Sequence, residues 1–317
     1  MKTKFTIAVH GGAGTILKQD LTPELEQSYK KGLREALIAG YAVLENGGSA
    51  MDAVIAASIV LEDNILFNAG RGSVFTKKGL HEMDASIMNG ADLSAGAVCG
   101  VSNVRNPIKL AATVMQHSDH VILSGEGASE FARKENLQFE PDEYFFSQFR
   151  YDQWKAISNT DEYALDHSGI ETDKLFENKF GTIGAVACDM HGNIAAATST
   201  GGMTNKNYGR IGDSPLIGCG TYANNKTCAI SCTGHGEPFI KAVAAYDVSC
   251  LMEYAHMNLH DAMNKVVNEK LVAINGEGGM IGVDAQGNFA LLFNCDGMYR
   301  GVKNSEGFEE VAIYDGL

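Results

Sequence analysis

The stretch Gly181-Thr182-Ile183-Gly184-Ala185-Val186-Ala187 lies past the middle of the 317-residue chain and has the pattern of an apolar β-strand that begins directly after a glycine. A threonine at the start of such a strand would be held in place by the sheet. Threonine becomes an effective nucleophile when its own α-amino group is free, because that amine titrates near ~7.7–8.0 whereas a lysine amine titrates near ~10.4. An internal threonine has no free amine, so this interpretation requires cleavage between Gly181 and Thr182. Otherwise Thr182 is an ordinary β-branched strand residue.

The segment in front of this stretch differs in character from the rest of the chain. From about Asp152 to Lys179 the sequence is polar, has no regular period and contains few aliphatic side chains. Exposed segments of this composition are where proteolytic nicking concentrates. We therefore predict a cleavable linker over about 152–181, an N-terminal piece of residues 1–181 and a C-terminal piece of residues 182–317, together forming one structural domain.

Two similar units follow the linker. Thr182–Cys188 leads through an Asp-x-x-Gly-Asn turn into Ile194–Thr200, and Met280–Val283 leads through the same kind of turn into Phe289–Phe293. Glycine supplies the positive φ that such a turn needs, so each unit predicts a β-hairpin.

The N-terminal half begins with a predicted buried strand, Lys4–Val9, that closes in the glycine turn His10-Gly11-Gly12-Ala13-Gly14. N-caps, a capping box and prolines at first helical positions predict helices after it. The predicted helices run from Pro23, with Thr22 as N-cap, to Asn46, from Ser49 to Glu62, from Pro107 to His117, and near Pro238–Met257 and Leu259–Leu271. Hairpins and helices in both halves predict an α+β fold in which helices cover two stacked, antiparallel-rich sheets.

Composition excludes several classes of protein. The formal net charge is −14, which argues against a nucleic-acid partner because phosphates require a basic face. No run approaches the ~18–20 apolar residues that a membrane span needs, and the N-terminus turns to glycine too early for a signal peptide. The seven cysteines include no Cys-x-x-Cys pair, which favours buried thiols in a reducing cytoplasm. We expect a cytoplasmic protein that handles a small molecule or a peptide.

Two further groups of polar residues are candidates for chemistry beside Thr182. Thr200 ends the returning strand of the first hairpin, so its hydroxyl would lie near Thr182; the alternative is a strand end that turns through glycines. Arg210 and Asp213 stand three apart in a glycine-framed loop, where they would clamp the carboxylate and ammonium of a free amino-acid end. The alternative is an ordinary ion pair between them.

A later segment, Ser231-Cys232-Thr233-Gly234-His235-Gly236-Glu237, runs from a strand into a helix start. Exposed backbone N–H groups and the Thr233 hydroxyl would form an oxyanion site there. We interpret His235 as a solvated residue or a supporting partner rather than a base, and His81-Glu82-Met83-Asp84 as a polar strand end rather than a metal site. His10-Gly11-Gly12 resembles the oxyanion loop of α/β-hydrolases, but the chain has no Gly-x-Ser-x-Gly elbow, so a tight turn is the simpler interpretation.

Taken together, these residues resemble the plant-type L-asparaginase/isoaspartyl aminopeptidases, a family of N-terminal-nucleophile hydrolases. The resemblance spans nearly the whole chain in the family's order. The segments that carry it are Ala8-Val9-His10-Gly11-Gly12-Ala13-Gly14, Leu66-Phe67-Asn68-Ala69-Gly70, Gly181-Thr182-Ile183-Gly184-Ala185-Val186-Ala187, Thr198-Ser199-Thr200-Gly201-Gly202, Gly209-Arg210-Ile211-Gly212-Asp213-Ser214-Pro215 and Thr233-Gly234-His235-Gly236-Glu237. It implies a four-layer αββα sandwich made as an inactive precursor that cuts itself between Gly181 and Thr182, with two cut chains assembling as a dimer of αβ heterodimers.

The resemblance also implies a role for each matching residue. Thr182 would be the nucleophile and, through its new amine, its own base, with Thr200 orienting it. The Thr233 hydroxyl and the Gly234 N–H would hold the oxyanion. The remaining implied roles are substrate carboxylate binding by Arg210, substrate ammonium binding by Asp213 with the backbone of Gly234 and Gly236, and a bond from Asn68 near the Thr182 amine.

A metal site is implied by resemblance alone. The loop from Leu61 through Arg71 resembles the family's sodium-binding loop, which uses main-chain carbonyls. The implied ligands of a structural sodium ion are Leu61, Glu62, Asn64, Phe67, Ala69 and Arg71. Arg71 brings a charge into this segment, and no cofactor is expected for catalysis.

The implied activity is hydrolysis of β-aspartyl dipeptides and of the side-chain amide of L-asparagine, with release of aspartate. One rival is the glycosylasparaginase branch of the same superfamily, which normally enters a secretory route. A rival of another class is a binding protein that keeps the amino-acid clamp but never cleaves.

Overall fold

The computed structural model describes residues 4–19, 21–160 and 181–315. The strands in these ranges are β1 (Thr6–Gly14), β2 (Met83–Asn89), β3 (Ala95–Val101), β4 (Ile122–Ser124), β5 (Ile183–Cys188), β6 (Ile194–Thr200), β7 (Thr221–Ala223), β8 (Cys228–Gly234), β9 (Gly278–Asp284), β10 (Phe289–Phe293), β11 (Gly297–Asn304) and β12 (Glu309–Ala312). The α-helices are α1 (Pro23–Glu45), α2 (Ala50–Glu62), α3 (Pro107–His117), α4 (Gly125–Lys134), α5 (Asp142–Phe145), α6 (Gln148–Ile157), α7 (Gly236–Ala242), α8 (Ala244–Ala255) and α9 (Leu259–Asn264). A π-helical stretch, Lys265–Leu271, continues α9.

Local sequence signals fix where the first helices begin. The Thr22 side chain accepts a hydrogen bond from a backbone N–H in the first turn of α1, and Pro23 occupies the first helical position. Ser49 accepts from the Asp52 N–H and donates to the Asp52 carboxylate at the start of α2. These side chains satisfy N–H groups that a helix leaves free at its N-terminus. The predictions for α1 and α2, and for the helix that opens at Pro107, are confirmed.

The larger of two sheets has the strand order β12-β11-β1-β5-β6-β2-β3-β4. The pair β3–β4 is parallel, and the other neighbouring strands of this sheet pair antiparallel. The predicted first hairpin forms the pair β5–β6 at its centre. All residues of β1, β5 and β6 are buried, as expected for strands covered on both faces. Helices α1, α2 and α3 contact this sheet.

The smaller sheet has the order β10-β9-β8-β7, and the predicted second hairpin forms its β9–β10 pair. Helices α8 and α9 contact this sheet, while β8 and β9 contact β1 and β5 of the larger one. Apolar side chains such as Val186, Ala196, Ile281 and Val283 form one buried cluster between the sheets. The described residues therefore have an α+β fold, as predicted.

Strand β1 differs from the prediction at its C-terminal end. The residues predicted to turn after Val9 continue the strand to Gly14, with a β-bulge between His10 and Gly12. Gly12 has a φ of 122°, a conformation that glycine adopts at little cost. Because the bulge keeps the chain in the sheet, His10 is fully buried instead of lying in a surface turn.

The prediction of a single helix near Pro238–Met257 is also wrong, because α7 and α8 are separate helices. They meet at Val243, which has a left-handed φ of 50°. The first turn of α8 is instead held by tertiary contacts, in which the N–H groups of Ala245 and Tyr246 donate to the carbonyls of Cys219 and Gly218. Nothing in the local sequence signals this break.

The predicted linker is described only in part. Helix α6 ends at Ile157, so the first residues of the segment predicted as linker are helical. Residues 161–180 lie outside the described residues. Within the described ranges no helix is long and apolar enough to cross a membrane. All seven cysteines lie in these ranges and are free thiols, mostly buried as predicted.

Candidate active site

The register of the first hairpin places Thr182 beside Thr200. The pair Ile183 and Ser199 is the last that β5 and β6 form, so Thr182 and Thr200 follow opposite each other. The Thr182 hydroxyl donates to the Thr200 hydroxyl over 3.0 Å, and Ser214 Oγ lies 3.4 Å from Thr182 Oγ1. The structure thus brings the two predicted hydroxyls together in a buried position.

A short turn after β6 holds Thr200 in place. Thr200 Oγ1 accepts a second hydrogen bond, from the Gly202 N–H at 3.0 Å. Asn68 Nδ2 donates to the Gly202 carbonyl at 2.7 Å, and Asn68 Oδ1 accepts from the Val74 N–H at 3.1 Å. In the uncut chain, Asn68 therefore braces the turn that carries Thr200, and its bond near a free Thr182 amine stays a prediction.

The backbone at Gly181 is crowded on the side opposite Thr200. A Cβ built on Gly181 would come within 3.0 Å of the Thr233 hydroxyl, and one on Gly12 would come within 2.5 Å of the Gly181 nitrogen. Only glycine fits both positions without a shift. Thr233 Oγ1 is buried and makes no hydrogen bond within the described part of the chain, so its donor is available beside Gly181. Gly234 follows directly and lines a pocket together with Gly181 and Thr182.

Arg210 forms a two-pronged ion pair, but with Glu237 rather than with Asp213. Arg210 Nε and Nη2 donate to the two Glu237 carboxylate oxygens at 2.9 Å each, and His235 Nε2 lies 3.1 Å from Glu237 Oε2. The pKa of Glu237 is lowered: burial acts to raise it, but the hydrogen bonds from His235 and Arg210 outweigh burial. The alternative of an Arg210–Asp213 pair is not what the structure contains. His235 supports Glu237, in line with its predicted supporting role.

Asp213 is buried, and one of its carboxylate oxygens has no partner within the described ranges. Burial raises the pKa of its carboxyl from 3.8 to about 7. Asp213 Oδ2 has no hydrogen-bond partner among the residues that the structure describes. A Cβ on Gly236 would come 2.9 Å from Asp213 Oδ1, so glycine is needed where α7 begins. A buried acceptor of this kind suits a cationic group of a ligand.

These residues line one pocket at the ends of the central strands. Its lining consists of Ala13, Val74, Gly181, Thr182, Thr200, Gly202, Met203, Thr204, Arg210, Gly212, Asp213, Ser214, Gly234 and Gly236. It therefore contains both hydroxyls of the hairpin, the arginine and the buried carboxylate. The pocket does not include Thr233 or Asn68, which lie behind Gly181 and the turn after Thr200.

Sequence reasoning missed three residues of this site. His10 Nδ1 donates to the Thr182 carbonyl at 3.0 Å across a separation of 172 residues, and burial lowers the pKa of His10 to about 3, so its ring is neutral. Ser214 approaches the Thr182 hydroxyl, and Glu237 holds Arg210. Ser214 and Glu237 lie inside quoted motifs, but only the fold reveals what they contact.

The segment predicted to bind sodium forms the end of α2 and a tight turn. The carbonyls of Asn64, Phe67 and Ala69 each accept one backbone N–H, which leaves each a second lone pair, while the Leu61 carbonyl accepts from both Asp63 and Asn64. The guanidinium of Arg71 lies 5.3 Å from the centre of the Tyr144 ring. Glu62 is buried, and burial raises the pKa of its carboxyl to about 8. No group of three or more His, Cys, Asp or Glu side chains in the described ranges is arranged to hold a metal, a finding that does not bear on main-chain ligands.

Comparison with known proteins identifies the family of the chain. The sequence profile described as asparaginase matches residues 3–313. An isoaspartyl peptidase of Salmonella typhimurium is 52% identical over 94% of each chain, and one of Escherichia coli is 50% identical over 94% of this chain and 92% of its own. A probable isoaspartyl peptidase/L-asparaginase 2 of Arabidopsis thaliana is 41% identical over 98% of this chain and 99% of its own.

The fold and the pocket define a class of hydrolase in which a buried threonine begins a central strand. Within that class, the asparaginase profile covers nearly the whole chain, from residue 3 to residue 313. The chain belongs to the asparaginase family.

Proposed function

We propose that the protein is a self-cleaving amidohydrolase that hydrolyses β-aspartyl dipeptides and the side-chain amide of L-asparagine, releasing L-aspartate. The hydrogen bond between the Thr182 and Thr200 hydroxyls, at the edge of a pocket that also contains Arg210 and Asp213, is the observation that carries this proposal. Relatives at 41–52% identity are named isoaspartyl peptidase or isoaspartyl peptidase/L-asparaginase, which supports the same substrate class.

Self-cleavage would convert Thr182 into the N-terminal residue of a new chain. Thr182 Oγ1 attacks the carbonyl carbon of Gly181, the bond from that carbon to the Thr182 nitrogen breaks, and the acyl group moves to oxygen as an ester. Water then hydrolyses the ester, leaving a free Thr182 amine and a Gly181 carboxylate. The crowding at Gly181 and the nearby Thr233 donor support this step, since a hydroxyl there would stabilise the oxyanion.

In the cut enzyme the Thr182 amine would take the proton of its own hydroxyl as that oxygen attacks the substrate's side-chain carbonyl. Ammonia or the second amino acid leaves, and water hydrolyses the resulting aspartyl ester. Thr200 would orient the nucleophile, and Asn68 would bond near the amine. The Thr233 hydroxyl and Gly234 N–H would hold the oxyanion, where one donor contributes roughly 10²–10³ in rate. A positioned base contributes roughly 10²–10⁴.

The clamp would explain the preference for β-linked substrates. Arg210 would bind the α-carboxylate in two-pronged geometry, while Asp213, with the backbone of Gly234 and Gly236, would bind the α-ammonium. Both α-groups must therefore be free, and only the side chain of aspartate or asparagine is left to reach Thr182. Glu237 fixes the orientation of the guanidinium through its two bonds to Nε and Nη2, which leaves Nη1 free of Glu237.

We further propose the finer architecture that the family resemblance implies. Helices contacting each sheet, and contact between the sheets, support a four-layer αββα sandwich. Two cut chains would assemble as a dimer of αβ heterodimers. A structural sodium ion would be held by carbonyls of the loop between Leu61 and Arg71, whose second lone pairs support it. Seven free thiols support a cytoplasmic location.

Replacement of the nucleophile tests the proposal. In Thr182→Ala we expect a single uncut chain and no aspartate release from a β-aspartyl dipeptide, measured by intact mass and a coupled aspartate assay. The matched control is Thr6→Ala, which removes another buried strand threonine, bonded to the Gly287 carbonyl, outside the pocket. Normal hydrolysis by Thr182→Ala would refute the mechanism. A wild-type chain that binds aspartate but is never cut would favour the binding-protein alternative.

A further inference from the structure

One row of side chains between the two sheets is polar, although the space around it is apolar. Across the larger sheet, register partners form the row His10, Gly184, Thr198 and Ser86. On the facing sheet, Thr221 and Ser231 are register partners. The neighbouring row on the same face lies two residues further along each strand and is apolar. It consists of Ala8, Val186, Ala196 and Met88. We call His10, Ser86, Thr198, Thr221 and Ser231 the inter-sheet polar row; all five are fully buried.

The inter-sheet polar row is one continuous chain of hydrogen bonds that ends at Thr182. Thr221 Oγ1 donates to Thr198 Oγ1 at 2.6 Å, and Thr198 Oγ1 lies 2.7 Å from Ser231 Oγ. Ser231 Oγ lies 2.9 Å from His10 Nε2, and His10 Nδ1 lies 3.0 Å from the Thr182 carbonyl oxygen. The chain therefore joins strands of both sheets to the backbone of the proposed nucleophile.

The direction of these bonds follows from their last acceptor. A carbonyl oxygen only accepts, so His10 Nδ1 must carry a proton toward Thr182. The ring is neutral because burial lowers the pKa of His10, so Nε2 has no proton and must accept from Ser231. Ser231 therefore accepts from Thr198, whose hydroxyl also lies 3.2 Å from the Gly220 carbonyl oxygen. The Thr182 carbonyl on one side and the Ser231 hydroxyl on the other hold the neutral imidazole in a single tautomer and orientation.

Gly184 makes room for this arrangement. A Cβ at Gly184 would overlap both Ser231 Oγ and His10 Nε2. Its φ is not in the left-handed region, so an alanine there would meet the clash without backbone strain. Glycine at position 184, in β5, is therefore needed for the hydrogen bond between His10 and Ser231.

His10 lies where the register of β1 with β5 ends. The last pair is His10 with Gly184, and the β-bulge in the pairing of β1 with β11 falls at the same point, between His10 and Gly12. The His10 side chain reaches beyond this last pair to the carbonyl of Thr182, two residues before Gly184. It thereby orients the peptide unit on the C-terminal side of Thr182.

We propose that His10 is a positioning residue for the nucleophile, held by the inter-sheet polar row and acting through the Thr182 carbonyl. This inference rests on the proposed function and adds to it the group that aims Thr182 Oγ1 in self-cleavage and in substrate hydrolysis. His10 itself touches no reacting atom. Displacing a reacting group by about 1 Å costs about 100-fold in rate, which sets the size of the expected effect.

Two substitutions of His10 separate positioning from structural support. His10→Asn retains an amide N–H at the δ position for the Thr182 carbonyl but loses the ring nitrogen that accepts from Ser231. His10→Leu removes both hydrogen bonds. We expect self-cleavage and kcat to fall about 100-fold in His10→Leu and about 10-fold in His10→Asn, with KM changed less than about 3-fold.

Both substitutions leave the buried Ser231 hydroxyl without its acceptor at His10, so both should lower the unfolding temperature. A merely structural role predicts that self-cleavage and kcat recover when each variant is assayed well below its own unfolding temperature, whereas positioning predicts that the loss persists in the folded protein. The matched control is Ser249→Ala, which breaks another buried hydroxyl pair, to Thr227 at 2.7 Å, away from the row. It should keep wild-type self-cleavage and kcat.

Three quantities are measured for each variant. They are the rate of formation of the fragment that starts at Thr182, followed by mass spectrometry, the kinetics of aspartate release, and the unfolding temperature. A wild-type rate in His10→Leu, or rates that return to wild type in the fully folded variants, would overturn the inference. If neither His10 variant folds, Ser231→Ala decides: an unchanged kcat rejects positioning, and a lower kcat at constant KM supports it. If the wild-type chain neither cuts itself nor releases aspartate, the proposed function fails instead.

Discussion

Two buried atoms in and beside the pocket have no hydrogen-bond partner among the described residues, and both belong to predicted site residues. They are Asp213 Oδ2 and Thr233 Oγ1. Leaving such a group unpaired costs about 1–3 kcal/mol, and more when it is charged. The proposed reaction supplies both partners, an ammonium for the carboxylate and an oxyanion for the hydroxyl. At the scale of single residues, the uncut protein is therefore built for contacts that it does not yet make.

Asp213 should give the enzyme a pH dependence in substrate binding. Only its carboxylate form binds an ammonium, and its pKa is raised to about 7, so kcat/KM should fall as pH drops through that value. Asp213→Asn should lose this dependence and lower kcat/KM at pH ~8 by about 10–100-fold, as expected for a charged hydrogen bond. Steady-state assays across pH check this. Identical pH profiles for both proteins would contradict it.

The same shift predicts the opposite effect on stability. A carboxyl whose folded pKa is raised from 3.8 contributes stability that is fully present below that value and is lost as pH rises through about 7. Asp213→Asn should therefore unfold at a higher temperature than wild type at pH ~8, with the gain shrinking toward pH ~4. Asp296→Asn, at an exposed position, should show no such trend.

The sequence predicted the residues of the site better than their contacts. Thr182, Thr200, Arg210 and Asp213 do line one pocket, since motifs name residue types whose chemistry is restricted. The partner of Arg210 was beyond prediction, because an arginine three residues from an aspartate fits an ion pair equally well. The His-Gly-Gly sequence predicts a turn at His10, because it carries no sign of a bulge.

At the scale of elements, boundaries set by local chemistry were predictable and those set by packing were not. The N-caps Thr22 and Ser49 fix helix starts through hydrogen bonds within the first turn, and Pro107 favours a start through its fixed φ at the first helical position. The break between α7 and α8 depends on the carbonyls of a distant loop at Gly218. No local signal reports such a partner.

Val243, at this break, should be a point of backbone strain. A left-handed conformation costs a non-glycine residue roughly 1–2 kcal/mol, and Val243 is β-branched and 42% exposed, with little packing to lose. Because glycine also loses more chain entropy on folding, Val243→Gly should gain about 0.5–1 kcal/mol in net stability. Urea unfolding of the uncut Thr182→Ala chain measures it. Val243→Ala keeps the Cβ and should gain less; a glycine variant weaker than the alanine variant would rule out strain.

At the scale of the whole molecule, the larger sheet interleaves the two proposed pieces. Strands β1 to β4 precede the proposed cut and β5 to β12 follow it, yet the order is β12-β11-β1-β5-β6-β2-β3-β4. The boundaries β11–β1, β1–β5 and β6–β2 each join one piece to the other. The pieces cannot separate without breaking all of these ladders and opening the core.

The cut protein should therefore stay together. We expect the two fragments to co-elute as one species in native gel filtration and to separate only in denaturant, where mass identifies each. The uncut Thr182→Ala chain is the control and should give a single band in both conditions. Fragments that part under native conditions would contradict the interleaved sheet.

By itself, the sequence determined the class of fold, the first hairpin and the nucleophile candidate, because hydrophobic period, turn glycines and caps act within a few residues. Only the tertiary structure decided what surrounds Thr182. The bulge in β1, the row from His10 to Ser231 and the pairing of Arg210 with Glu237 depend on chain segments far apart in sequence. These contacts join segments that local patterns of residues, which act over a few positions, do not connect.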